Sequence, residues 1–119
     1  MKELTRATHA LSDETRVRII NLIIGRECCV CEVMQALGIS QTRASRNLKI
    51  LYDAGFLNMR NDGLFKLYSI NPENDVNFRT HLLQAVRRDL RKNTIARKDL
   101  QQLEKARRIG PGCASGPVK

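Results

Sequence analysis

The chain has 119 residues, of which 42% are hydrophobic and 4% aromatic, with no tryptophan. That is the length of one domain with an aliphatic core, and no apolar run of about 18 residues is present to cross a membrane. The net charge is +9, and residues 79–119 (11 basic, 3 acidic) carry +8 of it. Such clustered positive charge favours a nucleic-acid partner over a merely solvated helix face.

The first residues lack the apolar stretch of a signal peptide, so we expect a cytoplasmic protein with no membrane partner. In that compartment cysteines are usually reduced, catalytic or metal-binding. No nucleophile–base pair, phosphate loop or pair of suitably spaced carboxylates is apparent in the sequence, and we therefore do not expect an enzyme.

Two helices are predicted before residue 26. Leu4 and Leu11 lie on one face of a short first helix. The sequence Ser12-Asp13-Glu14 is typical of a helix N-terminus, and it predicts a second helix over residues 13–24.

A cysteine cluster follows, formed by Cys28, Cys29 and Cys31. Thiolates are soft ligands that select soft metals and metalloids. On an intact helix, positions i and i+2 point roughly 200° apart. Cys29 and Cys31 can therefore hold one ion only where the helix is broken or has not begun, and we expect binding to remodel the local backbone. The alternative is that these thiols are small buried apolar groups.

A helix-turn-helix comes next. A short helix is predicted over residues 32–37, Gly38 breaks it, and Ser40 caps a helix over residues 41–54. In such a pair the second helix lies in the DNA major groove. Its polar side chains are candidates to contact bases or phosphates: Ser40, Gln41, Thr42, Arg43, Ser45, Arg46 and Lys49.

A β-hairpin completes the motif. Strands are predicted over residues 57–60 and 64–70, and Asn61-Asp62-Gly63 between them is a strong turn signal. The fold class is therefore mainly α with a β-hairpin wing, a winged helix-turn-helix. Arg60 and Lys66 on the wing are further candidates for DNA contact.

The C-terminal part is predicted to be helical and basic. A long helix starts near Asp75 with an apolar stripe at Leu82, Val86 and Leu90, and the pattern stays compatible with helix over residues 92–108. We predict a DNA-binding and dimerisation domain over residues 1–95. Residues 96–119 then form a basic helical extension and a disordered tail.

Residues 11–19, the cysteine cluster, and residues 39–51 with Ala54-Gly55 together resemble the ArsR/SmtB family of metal- and metalloid-responsive repressors. The similarity covers roughly residues 4–90, and the stretch over residues 29–32 resembles the arsenic-sensing branch. The resemblance implies a homodimer on palindromic operator double-stranded DNA, which As(III) or Sb(III) releases, with no organic cofactor. It also implies dimerisation through the first and last helices, on Leu4, Leu11, Leu82, Val86 and Leu90.

The third arsenic ligand is not obvious. The arsenic-sensing pattern has a thiol at the position of Met34, whose thioether is a weak ligand. Cys28 and Cys113 are the candidates to replace it, and two thiolates alone could hold a monosubstituted trivalent arsenical. Zinc sensing in this family uses the last helix, where Asp75 and His81 lie, but a second histidine is missing and we do not expect zinc. Thiol oxidation, another soft metal and purely structural cysteines remain alternatives.

Overall fold

A computed structural model describes residues 1–73 and 78–109 of the chain. It confirms a mainly helical winged helix-turn-helix with a small antiparallel sheet. The elements are α1 Lys2–Ala10, α2 Glu14–Gly25, β1 Cys28–Cys29, α3 Val30–Leu37, α4 Gln41–Asp53, β2 Leu57–Asp62, β3 Phe65–Ile70, α5 Arg79–Leu90 and α6 Thr94–Lys105.

Local capping sets the helix-turn-helix. The carboxylate of Asp13 accepts a hydrogen bond from the Arg16 N–H (3.1 Å) and starts α2. The Ser40 hydroxyl accepts one from the Arg43 N–H (3.1 Å) and starts α4. Between α3 and α4, Gly38 takes a left-handed conformation (φ +70°), which glycine adopts at low cost and which turns the chain sharply.

The sheet has three strands in the order β1-β3-β2, so the predicted hairpin gains a strand. Asp62 pairs with Phe65, which makes the turn a two-residue one at Gly63 (φ +62°) and Leu64. Strand β2 therefore extends two residues further than predicted, and the turn is Gly63-Leu64 instead of Asn61-Asp62-Gly63. The added strand β1 has only two residues and therefore no alternating pattern by which to predict it.

The predicted long C-terminal helix is two helices. The break follows α5, and the Asn93 side chain caps α6 by accepting from the Ala96 N–H (2.9 Å). Helix α6 folds back onto α2 and α3, with Ala96 and Leu103 in the main core. The boundary predicted after residue 95 lies inside α6. Asp75 and the predicted tail from residue 110, including Cys113, lie outside the described residues.

A buried ion pair fixes α6 to α2. Asp99 is 3% exposed and accepts two hydrogen bonds from the Arg18 guanidinium (2.8 and 2.9 Å). The same hydrogen bonding raises the pKa of Arg18. Because both carboxylate oxygens are paired, burial of the charge is compensated.

The main core lies between α2, α3, α4 and α5, and α1 and α6 add small contributions at its edge. Its largest fully buried side chains are aliphatic, as the composition predicts, apart from one phenylalanine and one cysteine: Ile19, Ile20, Leu22, Cys28, Val33, Leu48, Leu51, Phe56 and Leu57. No helix in the described part of the chain is both long and apolar enough to cross a membrane.

Candidate functional site

Cys29 and Cys31 meet where α3 begins. Their sulfur atoms are 3.2 Å apart, and the residues are 1% and 2% exposed. Helix α3 starts at Val30, two residues earlier than predicted, and Cys29 is its extended N-cap residue (φ −92°, ψ 171°). Because only Cys31 is helical, the divergence expected of an i, i+2 helical pair does not apply. The condition that the helix has not begun is therefore met at Cys29, and the remodelling expected on binding stays a prediction. We call Cys29 and Cys31 the thiol pair.

Cys28 faces the other way. Neighbouring strand residues point to opposite faces of a sheet, and Cys28 lies in the main core, whereas the thiol pair packs with Leu67 in a separate cluster. Burial, with the nearby Glu32 charge, raises the pKa of Cys28 to about 12. Burial also raises the pKa of Cys29. The structure thus brings two of the three clustered cysteines together and separates the third.

Glu32 connects the elements around the thiol pair. It is 3% exposed, and its Oε1 accepts hydrogen bonds from the Cys29 N–H (2.9 Å) and from Arg108 Nε (3.2 Å). Its Oε2 pairs with the Arg26 guanidinium. The Glu32 carboxylate therefore caps α3 and also binds Arg26, before β1, and Arg108, after α6.

Residues 106–109, the C-terminal segment, lie beside α3. The Gln35 side chain makes two hydrogen bonds with the Arg107 backbone, donating to its carbonyl (2.6 Å) and accepting from its N–H (3.0 Å). The Ile109 carbonyl is 3.8 Å from the Cys31 sulfur. The C-terminal segment thus leads the chain directly to the thiol pair.

The sequence did not reveal the roles of Glu32, Gln35 and Arg108. A glutamate three residues after a helix cap is a recognisable signal when the cap is serine or threonine. Here the cap is Cys29, so that signal was hidden. The two contacts with the C-terminal segment span more than 70 residues of chain and leave no local pattern.

The outer face of α4 carries the predicted DNA-contacting residues. Ala44 and Leu48 are buried on its inner face, which leaves the polar side chains outside. The exposed members are Ser40, Gln41, Thr42, Arg43, Ser45, Arg46 and Lys49. On the wing, Arg60 and Lys66 are exposed as well.

Three of the predicted basic contacts have partners within the chain. Arg43 donates to the Thr15 hydroxyl (3.0 Å), and Lys49 pairs with Asp53 (3.0 Å). Arg60 makes two hydrogen bonds to the Glu27 carboxylate (2.8 and 2.9 Å), which lower the pKa of Glu27. The ion pairs of Lys49 and Arg60 lie at the surface, where such pairs contribute little to stability.

A cleft of about 290 Å³ joins Cys29 to this face. It lies between α4 and the wing. Its lining residues come from four elements and the turn: Cys29, Val30, Gln41, Ser45, Leu64, Phe65 and Lys66. Cys29, which is 1% exposed, thus shares the lining of this cleft with Gln41 and Ser45 of α4.

The predicted dimer residues differ in exposure. Leu4 is 47% exposed, and Leu11 and Leu82 are partly buried. Val86 and Leu90 are buried in the main core of their own subunit, on α5 where it packs against α2. The apolar stripe of α5 thus has a partner within the chain, which the sequence pattern did not suggest.

Over residues 1–73 and 78–109, no group of three His, Cys, Asp or Glu side chains is arranged to hold a metal ion. His81 is exposed. Met34 packs beside the thiol pair, but it supplies only a thioether. Among the described residues, Cys29 and Cys31 are the two whose sulfur atoms meet at this place.

A polar recognition helix, a wing and a buried thiol pair beside them define a DNA-binding regulatory domain. Residues 13–59 match the helix-turn-helix family described as bacterial regulatory protein, arsR family. The arsenical resistance operon repressor of Staphylococcus xylosus is 32% identical over 72 residues, which cover 60% of this chain and 69% of that protein. The chain belongs to the arsR family, which consists of DNA-binding transcriptional regulators rather than enzymes.

Other comparisons agree. The arsenic resistance transcriptional regulator ArsR2 of Pseudomonas putida is 48% identical over 65 residues, covering 54% of this chain and 56% of that protein. The chain spans about half the length of the Pseudomonas putida relatives it matches. A homodimeric winged helix-turn-helix DNA-binding domain from Mycobacterium bovis superposes with a TM-score of 0.65 at 26% identity, covering 78% of this chain and 82% of that one.

Proposed function

We propose that the chain is a homodimeric repressor that binds operator DNA when ligand-free and is released when As(III) or Sb(III) binds the thiol pair. The observation that carries the proposal is the 3.2 Å separation of two buried sulfur atoms at the start of the helix that supports α4. Thiolates favour soft trivalent metalloids, and the relatives named above regulate arsenic resistance.

Binding of As(III) to thiols needs no redox step. Each thiol forms one As–S bond and its proton leaves with a hydroxide of As(OH)₃ as water, so arsenic stays trivalent. Two such steps use the thiol pair, and a third needs one more thiol. Protonated, buried thiols such as Cys29 can supply both the sulfur and the proton.

We assign the third thiol to Cys113 rather than Cys28. Cys28 lies in the main core on the opposite face of β1. Cys113 follows Ile109 by four residues, which reach at most about 14 Å, and the Ile109 carbonyl is already 3.8 Å from the Cys31 sulfur. The contacts of Gln35 and Glu32 with the C-terminal segment support donation from the same chain.

Binding at the thiol pair acts on the DNA-reading elements through Cys29. Cys29 caps α3, which packs on α4, and it pairs with Leu67 of the wing strand β3. A metalloid bonded to two buried sulfur atoms needs space that the surrounding side chains now fill. Its binding therefore displaces β1, the C-terminal segment or both, and shifts the wing relative to α4.

On DNA, the dimer presents two α4 helices about one helical turn apart. Gln41, Thr42, Ser45 and Arg46 read base edges, with Ser40 at the start of the helix. The basic residues Arg43, Lys49, Arg60 and Lys66 bind phosphates. We assign dimerisation to α1 and α5 through Leu4, Leu11 and Leu82, and the homodimeric state of the Mycobacterium bovis domain supports dimerisation itself.

The test is an anisotropy titration of the reduced protein on a duplex that it selects from a random library. As(III) should lower DNA affinity about 100-fold, which corresponds to about 2.7 kcal/mol of coupling. Cys29→Ser and Cys31→Ser should bind DNA normally and lose the response. Cys28→Ala is the matched control and should keep it. Full As(III) response in the Cys29→Ser/Cys31→Ser variant would contradict the proposal.

A second candidate signal is thiol oxidation, because two sulfur atoms 3.2 Å apart are close enough to react. Another soft metal, such as Cd²⁺, is the third. The same titration separates them. A response to peroxide or Cd²⁺ with none to As(III) would replace the metalloid by that signal, and a response to none would leave the cysteines structural.

A further inference from the structure

Helix α6 carries positive charge beside the helix-turn-helix. On its flank Lys98 and Lys105 are exposed and Gln102 is half-buried, and we call these three residues the basic stripe. We propose that the basic stripe binds the phosphate backbone of operator DNA next to the groove that α4 enters. The inference rests on the proposed function, and it adds a third DNA-contacting element to α4 and the wing.

The basic stripe is a continuous row along the helix. Its members are spaced i, i+4 and i+7, so they lie on one side of α6. Seven residues of helix rise about 10.5 Å, which is the axial length of about three nucleotides in one strand of B-DNA. The two lysines of the stripe can therefore contact different phosphates of a single strand.

The charge of the stripe is not neutralised within the domain. Asp99 of the same helix is buried and already paired with a guanidinium group of α2. In residues 1–73 and 78–109, no carboxylate forms an ion pair with Lys98 or Lys105, whereas Lys49 of α4 pairs with Asp53. Solvent counterions therefore balance the two ammonium groups, and the counterions that DNA releases on binding them favour the complex.

A cleft between α3 and α6, of about 350 Å³, places the stripe beside the turn of the helix-turn-helix. Lys98 and Gln102 line it from α6, and Leu37 and Gly38 line it from the turn. Gly38 lies two residues before Ser40, the cap of α4, and two residues span at most about 7 Å. When the second helix of such a pair lies in the major groove, the first helix crosses the DNA backbone. Because α6 packs along that first helix, α3, we place the stripe over the same backbone.

Helix α6 is held in this position at both ends. The Arg18 guanidinium donates two hydrogen bonds to Asp99 in its first half (2.8 and 2.9 Å). Beyond its last turn, the Gln35 side chain of α3 holds the backbone of Arg107 (2.6 and 3.0 Å). The helix therefore needs little further ordering to present the stripe, which keeps the entropic cost of the contact low.

The experiment compares two double variants that lose the same charge, by anisotropy on the selected duplex over a range of salt concentrations. Lys98→Gln/Lys105→Gln removes four phosphate contacts per dimer, and at about 0.9 each the slope of log affinity against log salt should fall by about 3.6. Its affinity should fall at least about tenfold at about 150 mM salt. Arg87→Gln/Arg91→Gln is the matched control, because these exposed arginines line a different cleft with Leu100, on the opposite flank of α6. The control should lose less than about twofold, since charges beyond about 8 Å are screened at this salt.

Two further measurements make the result decisive. Phosphate contacts carry no base information, so Lys98→Gln/Lys105→Gln should weaken binding to the selected duplex and to a scrambled one by similar factors. Lys98→Arg/Lys105→Arg keeps the charge and should keep the affinity. If the wild type binds the duplex and responds to As(III), but the stripe variant loses no more affinity or salt slope than the control, the inference is overturned and the proposed function stands. If the wild type binds no duplex, both are overturned.

Discussion

Removal of the Glu32 carboxylate should destabilise the domain and loosen the cover of the thiol pair. Loss of the α3 cap costs about 1 kcal/mol. The ion pairs with Arg26 and Arg108 add about 1 kcal/mol each, since the arginine side chains are 42% and 34% exposed and partly screened by solvent. We therefore expect Glu32→Ala to lose about 3 kcal/mol. Glu32→Gln keeps an acceptor for the cap and should lose about 1–2 kcal/mol.

Urea unfolding at one fixed protein concentration measures this loss. With a slope of about 1.5 kcal/mol/M, Glu32→Ala should lower the unfolding midpoint by about 2 M. Alkylation of Cys29 under native conditions should become faster, because Arg108 of the C-terminal segment loses its contact with the residue 32 side chain. Glu104→Gln, an exposed α6 carboxylate, is the control and should change stability by less than about 0.5 kcal/mol. A Glu32→Ala midpoint within error of wild type would refute this account of the site.

Three other predictions follow from the same structure. Because burial raises the pKa of Cys29 and the thiolate is the nucleophile, arsenite binding in stopped flow should still quicken with pH above about pH 9, where a thiol of ordinary pKa levels off, whereas a plateau at or below about pH 9 would contradict the raised pKa. Asp99→Asn, which weakens the bidentate pair with Arg18, should cost about 2 kcal/mol and lower the melting temperature by about 8 °C; an unchanged melting temperature would show that α6 is not held this way. Gly55→Ala should cost about 2 kcal/mol in urea unfolding, because its φ is +91° and the new methyl would lie 2.8 Å from an α5 guanidinium group. Gly25→Ala, which meets nothing within 4 Å, is its control and should cost less than about 0.5 kcal/mol.

Local signals in the sequence were sufficient to predict the helix-turn-helix. Ser40 and Gly38 mark where α4 begins and where α3 ends, and the buried Ala44 and Leu48 confirm the predicted inner face of α4. The wing was predictable for the same reason, since Gly63 is needed at a turn with positive φ.

The candidate site depended on contacts that a sequence does not display. Whether Cys29 and Cys31 diverge or meet depends on a helix start that moved by two residues, which is within the ordinary uncertainty of helix ends. The opposite orientation of Cys28 follows from a two-residue strand that pairs with the distant wing. The C-terminal segment returns to Glu32 only because the helix breaks before Asn93. The sequence pattern stays compatible with helix through this point, so the break could not be predicted from it.

The most direct test of the thiol site is a count of sulfur ligands by X-ray absorption on the As(III)-loaded, reduced protein. The proposed site predicts three As–S bonds in the wild type and in Cys28→Ala. It predicts two in Cys113→Ser, with oxygen in the third place, and loss of bound arsenic in Cys29→Ser/Cys31→Ser. Three sulfur ligands in Cys113→Ser, or a sulfur lost in Cys28→Ala, would contradict the assignment of the ligands.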